Sequence, residues 1–461
     1  MLKLRERSDV KNELRTIVGP ERFYDNPEEL LAASYDAYIE EALPEAVIFP
    51  QSTGEIAAVL EVANREGIPV TGRGAGTGLS GGAFPARGGL VLNFTRMSGI
   101  LEISTQDRYA VVQPGVVNMD LQKALADKGF FYPPDPSSFA VSTIGGNIAE
   151  NAGGPRCLKY GVTSDYILGL EVVLASGKVI ISGSRNVKDV TGYNLASLFC
   201  GSEGTLGIVS QATLKILPQP QAQRTVQAFY DDLKNTAETV TAIIGANILP
   251  AALELMDNFT INVTEDSLNL GLPRERAGML LIQVDGDEDA VAQDMESIAT
   301  IAKSNGAVEV RTAKTEAQSD ELWTARRAAY GIFARIAPNV LVEDATVPVS
   351  RIPNMVMGVR NIADRHGIRM GIIAHAGDGN LHPVIAADKR DADEWQRVEA
   401  AVKEIFELAV SLEGTLSGEH GIGSAKQAFL PLVMNPATQE LTATIKNALD
   451  PKGILNPGKF V

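Results

Sequence analysis

The chain has 461 residues, of which 45% are hydrophobic and 21% are charged, so it can bury a large core and is not disordered as a whole. Its 41 basic and 57 acidic side chains give a formal net charge of −16, which makes nucleic acids and anionic membrane surfaces poor partners. The expected partners are therefore small molecules or other proteins. At roughly 100 to 200 residues per domain, the length predicts two or three domains.

Cysteine use and the first residues indicate where the protein works. Cys157 and Cys200 are the only cysteines, too few for a disulfide framework, an iron–sulfur cluster or a thiolate zinc site, and they fit a reducing compartment. The start, MLKLRERSDVKNELR, carries charges where a signal peptide needs an apolar stretch, and no run of about 18 apolar residues occurs in the sequence. We therefore expect a cytoplasmic protein with no integral membrane segment.

The first half of the chain has the pattern of an α+β unit. Its first fifty residues look helical and charged, and an apolar stripe with i, i+3, i+4, i+7 spacing from Ile56 predicts a helix that ends at Gly67. A glycine-dense turn segment occupies residues 72–82. From about 88 to 216, short β-rich runs alternate with turns and a few helices.

The second half begins where the composition shifts, around residues 217–220, and we place a domain boundary near residue 218. From about 415 the chain is again rich in glycine. Between these points the hydrophobic periodicity predicts several regular elements. They are helices at about 287–305, 352–366 and 392–413 and strands at 278–284 and 368–375.

The glycine-dense segment contains G-x-G-x-x-G at residues 76–81, which matches a dinucleotide-binding pattern. A Rossmann turn would open a helix at this point, but Pro85 and two glycines interrupt the next ten residues, so we exclude the Rossmann fold. Backbone N–H groups of so open a loop can surround a diphosphate, and Arg73, Thr77 and Ser80 can supplement them. The alternative is a surface turn that binds nothing.

Two of the four histidines lie at the ends of the sequence HAGDGNLH. On a straight helix the imidazoles of His375 and His382 would lie about 10 Å apart, and on one strand they would point to opposite faces, so neither element lets them share one ion. A turn at Asp378-Gly379 removes this obstacle because it folds the first strand back onto a second strand at 381–386. We therefore predict that the two histidines meet across a hairpin.

A metal ion between two histidines needs a third ligand, and Glu419, which lies in the glycine-rich sequence SGEHGIG, is the candidate. A site of two histidines and one glutamate leaves coordination positions open for a substrate oxygen, which is typical of a catalytic ion. The alternative is that the histidines only satisfy buried hydrogen bonds. His366 follows a predicted helix, and we expect it to interact only with the C-terminal end of that helix.

Four segments, in order, resemble the FAD-binding fold shared by vanillyl-alcohol oxidase and p-cresol methylhydroxylase. They are VTGRGAGTGLSGGA at 70–83, PPDPS at 133–137, STIGGNIAENAGG at 142–154 and GSEGTLGI at 201–208. In that family these segments wrap an extended FAD, and the resemblance implies non-covalent binding here, since no histidine precedes His366. Cys157 is more simply a small buried thiol than a flavin attachment site. The residues that the resemblance assigns to FAD are Arg73, Gly74, Ala75, Gly76, Thr77, Gly78, Ser80, Pro134, Asp135, Thr143, Gly146, Asn147, Asn151, Gly153, Gly154, Gly204, Ile208 and Asn456.

The motifs HxGDGNLH and GEHG resemble those of the FAD-linked D-2-hydroxyacid dehydrogenases, which include glycolate oxidase catalytic subunits, D-lactate dehydrogenases and D-2-hydroxyglutarate dehydrogenases. The resemblance covers the chain from about 30 to 461. It implies a divalent metal, Zn, Mn or Fe, held by His375, His382 and Glu419, with His420 as the base. It also implies that Arg326, in the sequence WTAR, clamps the substrate carboxylate.

The implied fold is α+β. It comprises a two-part FAD-binding domain of the p-cresol methylhydroxylase type at 1–218, an α+β substrate (cap) domain with an antiparallel sheet at 219–414, and a C-terminal segment at 415–461 that returns to the FAD domain. The histidine pair lies in the cap domain.

The implied reaction is oxidation of a 2-hydroxy acid, in which the metal polarises the hydroxyl, His420 removes its proton and a hydride passes to the flavin. In the hydroxyglutarate branch an Asn is expected at the position of Val384, so we expect a short-chain substrate, D-lactate or glycolate. The alternatives are a D-2-hydroxyglutarate dehydrogenase, a flavin-binding accessory subunit of a glycolate oxidase-type complex, and a metal hydrolase without flavin. An electron-transferring flavoprotein or an iron–sulfur subunit is the expected electron acceptor, and such partners would also supply any attachment to a membrane.

Overall fold

The computed structural model describes residues 7–460, which form two compact units. The first comprises the chain up to Gly153, Val162–Gln219 and the chain from Glu419 onward, and the second comprises Gly154–Gly161 and Pro220–Gly418. Among the described residues, no helix combines the length and apolarity that a bilayer crossing requires.

The elements alternate between helices and strands along most of the chain. In chain order the α-helices are α1 Ser8–Val18, α2 Pro27–Ala32, α3 Thr53–Glu66, α4 Asn118–Ala126, α5 Ile144–Glu150, α6 Cys157–Tyr160, α7 Leu195–Phe199, α8 Leu233–Gly245, α9 Asn258–Leu268, α10 Glu288–Ser304, α11 Glu316–Ile332, α12 Ile352–His366, α13 Ala392–Ser411 and α14 Pro436–Leu449. The β-strands are β1 Phe23–Tyr24, β2 Ala46–Ile48, β3 Val70–Arg73, β4 Leu90–Asn93, β5 Ile100–Ser104, β6 Tyr109–Val112, β7 Phe130–Phe131, β8 Ile167–Val173, β9 Val179–Gly183, β10 Ile208–Lys215, β11 Leu217–Pro218, β12 Ala222–Tyr230, β13 Ala252–Asp257, β14 Gly278–Gly286, β15 Ala307–Thr312, β16 Asn339–Val342, β17 Ala345–Thr346, β18 Arg369–His375 and β19 Asn380–Ala387.

Two main sheets organise the first unit. One has the order β1-β2-β4-β3, with β2, β4 and β3 parallel and β1 antiparallel at the edge, and its buried side chains pack with α1 and α3 in one apolar cluster. The other is antiparallel, in the order β5-β6-β10-β8-β9. Near the C-terminus, Leu455 forms a bridge with Val70 of β3, so the last segment of the chain is part of this unit.

Helix α3 confirms the helix predicted from the apolar stripe. Ser52 accepts a hydrogen bond from the N–H of Glu55 at its N-terminus, and Gly67 ends it in the left-handed region with φ 66°. The helical prediction for the first fifty residues is wrong in part, because residues 23–24 and 46–48 are strands. The run 46–48 is short and fully buried in a sheet, and hydrophobic periodicity does not distinguish such a strand from a helix.

The second unit is built on one antiparallel sheet in the order β15-β12-β14-β13-β18-β19-β16, with β17 also pairing with β19. Strands β13 and β19 lie inside this sheet and are buried along their whole length. Helices α10, α12 and α13 and strand β14 confirm the elements predicted near 287–305, 352–366, 392–413 and 278–284. The antiparallel sheet confirms the predicted α+β class of this part of the chain.

Candidate active site

The second unit carries the histidine hairpin, formed by β18 and β19. In its register His375 lies opposite Asn380 and His382 lies opposite Ile373, so the two histidines are diagonal neighbours on one face of the sheet. Their rings are buried, with centroids 5.0 Å apart and planes at 84°, and their nitrogen donors approach within 4.8 Å. Gly379 makes the turn with φ 91°, a conformation that favours glycine. The predicted hairpin is confirmed.

A buried glutamate, Glu254 of β13, contacts the first histidine. β13 pairs with β18 so that Glu254 lies opposite His375, and its Oε1 is 2.8 Å from His375 Nδ1. Its Oε2 accepts a hydrogen bond of 2.6 Å from Arg326 Nε. Burial alone would raise the pKa of Glu254, but the neighbouring Arg326 and His375 outweigh it and hold that pKa below its ordinary value.

A second buried acid, Asp344, lies next to the other histidine. Its Oδ1 is 3.6 Å from His382 Nδ1, and the backbone oxygen of Glu343 is 3.3 Å from the same nitrogen. Its Oδ2 accepts hydrogen bonds from the Ser417 hydroxyl at 2.5 Å and the Gly418 N–H at 2.9 Å. Glu254 and Asp344 are therefore functional candidates that the sequence analysis missed.

The predicted carboxylate clamp, Arg326, extends from α11 and is buried. Glu254 occupies its Nε edge, and its Nη2 lies 3.4 Å from His375 Nδ1. The neighbouring Arg327 is exposed and bonds to Asp320 of its own helix, as expected of a solvated charge. The structure brings Arg326 and His375 together, although its role as a clamp stays a prediction.

The structure also shows the surroundings of His366 and of the two cysteines. His366 ends α12, but its Nε2 lies 2.9 Å from Glu404 Oε1 of α13, so the expectation that it interacts only with the end of its own helix is wrong. Cys157, in the four-residue helix α6, is partly exposed, so the expectation of a buried thiol is wrong. Burial raises the pKa of the Cys200 thiol to about 12, which leaves it unreactive near neutral pH.

In the first unit, the glycine loop between β3 and β4 contains no helix, which confirms the exclusion of the Rossmann fold. The Arg73 guanidinium donates to the backbone oxygen of Tyr35 at 2.6 Å and approaches that of Ala83 at 3.5 Å, and burial lowers its pKa. A Cβ at Gly76, where φ is 71°, would overlap this guanidinium. Arg73 therefore anchors the loop from within through carbonyl groups.

Buried polar atoms in the same unit fit a bound cofactor. Asn147 is 2% exposed, yet its Nδ2 has no hydrogen-bond partner among the described residues, and the same is true of Ser142 Oγ and Asn456 Oδ1. Leaving such atoms unsatisfied costs free energy, so a ligand with polar groups is expected to contact them. Thr143 Oγ1 caps α5 by accepting the N–H of Gly146 at 3.4 Å.

The remaining residues predicted to bind FAD divide unequally between the units. Gly154 is part of the second unit. Asn151 has a left-handed backbone with φ 53°, and its Oδ1 accepts the N–H of Ser164 at 2.8 Å. Those that belong to the first unit are Gly74, Ala75, Thr77, Gly78, Pro134, Asp135, Asn151, Gly153, Gly204 and Ile208.

The segment with Glu419 and His420 is held in the first unit through its backbone. The buried Glu203 carboxylate accepts the N–H groups of Ile422 at 2.7 Å and Gly423 at 2.8 Å, and the Ser80 hydroxyl donates to the His420 carbonyl at 2.7 Å. His420 is half-buried, with Nε2 4.0 Å from Glu419 Oε1. The role of Glu203 was not predicted from the sequence, where only the motif GSEGTLGI around it was recognised.

A further acid, Glu150 at the end of α5, is half-buried with its Oε2 shielded from solvent, and it faces the same segment, since a Cβ at Gly421 would overlap that oxygen. Burial, reinforced by the charge of Glu203, raises the pKa of Glu150 well above its ordinary value. This group therefore resists ionisation in the folded chain.

We expect Glu150→Gln to raise the apparent Tm of the FAD-containing protein, with a gain that grows from about pH 5 to about pH 8. Above its ordinary pKa of 4.5, Glu150 ionises in the unfolded chain but not in the folded one, so its stabilising contribution is present at lower pH and is lost as the pH rises towards the folded pKa. Glutamine cannot ionise and removes this loss. Thermal unfolding across that pH range measures it, with exposed Glu440→Gln as the control; a gain independent of pH would contradict the expectation.

Comparison with known protein families identifies both parts of the chain. Residues 219–460 match the family described as FAD linked oxidases, C-terminal domain, and residues 44–183 match the family described as FAD binding domain. These matches confirm the predicted FAD-binding domain and the predicted class of oxidoreductase.

Several curated proteins are similar over nearly the whole chain. Glycolate oxidase subunit GlcD of Bacillus subtilis (strain 168) is 48% identical over 453 residues, covering 98% of this chain and 96% of that protein. Glycolate oxidase subunit GlcD of Escherichia coli (strain K12) is 40% identical, with coverage of 91% and 84%. D-lactate dehydrogenase of Anaerostipes hadrus is 34% identical, with coverage of 91% and 90%.

Solved structures with low sequence identity share the fold. The 4-ethylphenol oxidase from Gulosibacter chungangensis has a TM-score of 0.81 at 19% identity, covering 99% of this chain and 97% of that one. A p-cresol methylhydroxylase with substrate bound has a TM-score of 0.79 at 17% identity, with the same coverage. The predicted fold type is confirmed.

Proposed function

The chain belongs to the FAD-linked oxidases, and from this premise we propose that it oxidises a small D-2-hydroxy acid, either D-lactate or glycolate, to the 2-oxo acid. The observation that carries this proposal is the buried pair His375 and His382, whose Nδ1 atoms both face oxygen acceptors. Relatives named glycolate oxidase subunit and D-lactate dehydrogenase support the choice of substrate class. FAD, bound without a covalent link, would supply the two-electron acceptor.

We propose that His375, His382 and Glu419 hold a divalent cation, Zn, Mn or Fe. Imidazole nitrogens suit these metals better than Mg or Ca, which prefer oxygen ligands. Gly418 is fixed to Asp344 by its N–H, and the next Cα along the chain is only ~3.8 Å from that of Gly418, so covalent connection limits where Glu419 can lie. A cation held there would supply a Lewis acid for the 2-hydroxyl.

The remaining roles belong to two other side chains. Glu254 holds the Nε edge of Arg326, so the Nη groups of Arg326 can bind the substrate carboxylate. Binding of the carboxylate in this way orients the Cα of the acid. A neutral His420 takes the proton of the 2-hydroxyl on a ring nitrogen. The base then takes the proton from the hydroxyl oxygen and the hydride leaves Cα for the flavin, while the guanidinium holds the acid in place.

Anaerobic mixing of the purified protein with D-lactate, L-lactate or glycolate tests the function directly. We expect the flavin absorbance at about 450 nm to bleach with D-lactate or glycolate but not with L-lactate. A colourless protein would favour a metal hydrolase, and a yellow protein that none of these acids bleaches would contradict the proposed oxidation.

We expect kcat/KM to be at least about tenfold higher for D-lactate than for D-2-hydroxyglutarate. Val384 follows His382 by two positions in β19, so it lies on the same face of the sheet, where it is fully buried among apolar side chains. A second carboxylate would find no polar partner in that side chain. Steady-state kinetics with both acids measures the ratio, and a preference for D-2-hydroxyglutarate would show that this protein belongs to the dicarboxylate branch.

We further propose that electrons leave the reduced flavin to a separate protein, an electron-transferring flavoprotein or an iron–sulfur subunit. The word subunit in the names of two relatives supports partners of this kind. The reducing environment suited to a protein with only two cysteines supports a cytoplasmic location.

A further inference from the structure

Glu254 lies between the apolar residues Leu253 and Leu255 of β13, and it is 1% exposed. Both of its oxygens lie close to His375 Nδ1, at 2.8 and 3.0 Å, and one of them also accepts from Arg326 Nε at 2.6 Å. Strand pairing fixes this arrangement, because Glu254 and His375 are direct cross-strand partners. One carboxylate therefore contacts both a predicted metal ligand and the predicted substrate clamp.

These contacts determine which nitrogen of His375 carries its proton. A carboxylate that receives an Arg N–H only accepts hydrogen bonds, so the short contact to Nδ1 requires a proton on Nδ1. The Nε2 atom then keeps its lone pair, which is the form of imidazole that binds a metal. Arg326 Nη2, at 3.4 Å from Nδ1, is farther from that nitrogen than either oxygen of Glu254 and is its weaker partner.

The same carboxylate fixes the guanidinium. Arg326 is buried beside His375, and without an acid between them two hydrogen-bond donors would face each other in the interior. With the Nε edge held, the planar group has one orientation and its Nη edge is left for a ligand.

We propose that Glu254 is a positioning residue that presents His375 Nε2 to the metal and Arg326 to the substrate carboxylate. This inference rests on the proposed function, since it assigns Glu254 a task at the same site. It predicts that the charge of Glu254, and not only its volume, determines how tightly the ion binds.

The first test is metal affinity, measured by chelator competition with Zn²⁺ or Mn²⁺ on the FAD-containing protein. We expect Glu254→Gln, which keeps the shape and removes the charge, to weaken binding about 10- to 100-fold. Asp257→Asn is the matched control, because Asp257 is a buried acid on the same strand that bonds the N–H groups of Thr260 and Ile372 instead. Unchanged affinity in Glu254→Gln, or an equal loss in Asp257→Asn, would overturn the proposal.

The second test uses the wild-type protein, so it does not depend on whether a variant folds. Nitrogen-15 NMR of the histidine-labelled, metal-free protein reports which ring nitrogen of each of the four histidines is protonated. We expect His375 to be protonated on Nδ1 and unprotonated on Nε2; the opposite tautomer would overturn the proposal. If the wild-type protein bound no divalent ion, the proposed metal site would be wrong. The tautomer of His375 would still show whether Glu254 determines which ring nitrogen of His375 is protonated.

Discussion

Replacing His420 with alanine is expected to lower the turnover of D-lactate or glycolate by at least about 10², while FAD remains bound. The substitution removes the group proposed to take the hydroxyl proton, whereas the backbone of the segment keeps its contacts, since Glu203 accepts the N–H groups of Ile422 and Gly423. Flavin absorbance gives the FAD content, and steady-state kinetics gives kcat. The loss is expected in kcat, because the base acts in the transition state.

The control for this variant is His366→Ala, which removes an imidazole paired with Glu404 on the surface of the second unit. We expect it to keep wild-type turnover. Turnover that His420→Ala leaves unchanged would show that His420 is not the base, whereas a wild type that binds FAD but turns over neither acid would favour a flavin-binding accessory subunit.

Replacing His382 with alanine is expected to lower the metal affinity, and with it turnover, at least about 10²-fold. The change removes one of two nitrogen donors, while β19 keeps its pairing with β18 and β16 and Asp344 keeps its hydrogen bonds from Ser417 and Gly418. Metal analysis of the purified variant, beside the wild type and the His366→Ala control, measures the effect. Full metal content in His382→Ala would show that the ion, if present, binds elsewhere.

Removal of the metal from the wild-type protein gives an independent check. Treatment with a strong chelator should abolish turnover without releasing FAD, and adding back Zn, Mn or Fe separately identifies the ion. Turnover that survives chelation in a demonstrably metal-free protein would contradict a catalytic role for the cation.

The histidine hairpin was predictable because local chemistry determines it. An Asp-Gly pair between two β-type runs specifies a tight turn, and the alternation of side chains in the strands then decides which histidines share a face. His375 and His382 meet for this reason. The helix from Thr53 to Glu66 was predictable in the same way, since its apolar stripe and both of its ends are encoded within 16 residues.

The acids around the histidines were not predictable from spacing. Glu254 precedes His375 by 121 residues, and only the register of two paired strands brings them together. A lone Glu in an apolar run indicates a buried charge that needs a partner, but it does not identify the partner. Arg73 shows the same limit, because the sequence does not reveal that its guanidinium contacts carbonyl groups within the protein.

The two units are interleaved along the chain, and this determines the order in which they can be completed during synthesis. The second unit ends at Gly418, whereas the first lacks the bridge between Leu455 and Val70 and the Asn456 contacts to Gly82 and Glu203 until residues 455 and 456 emerge from the ribosome. The part that starts first is therefore finished last, and a nascent polypeptide halted near residue 418 would hold a complete second unit beside an incomplete first one.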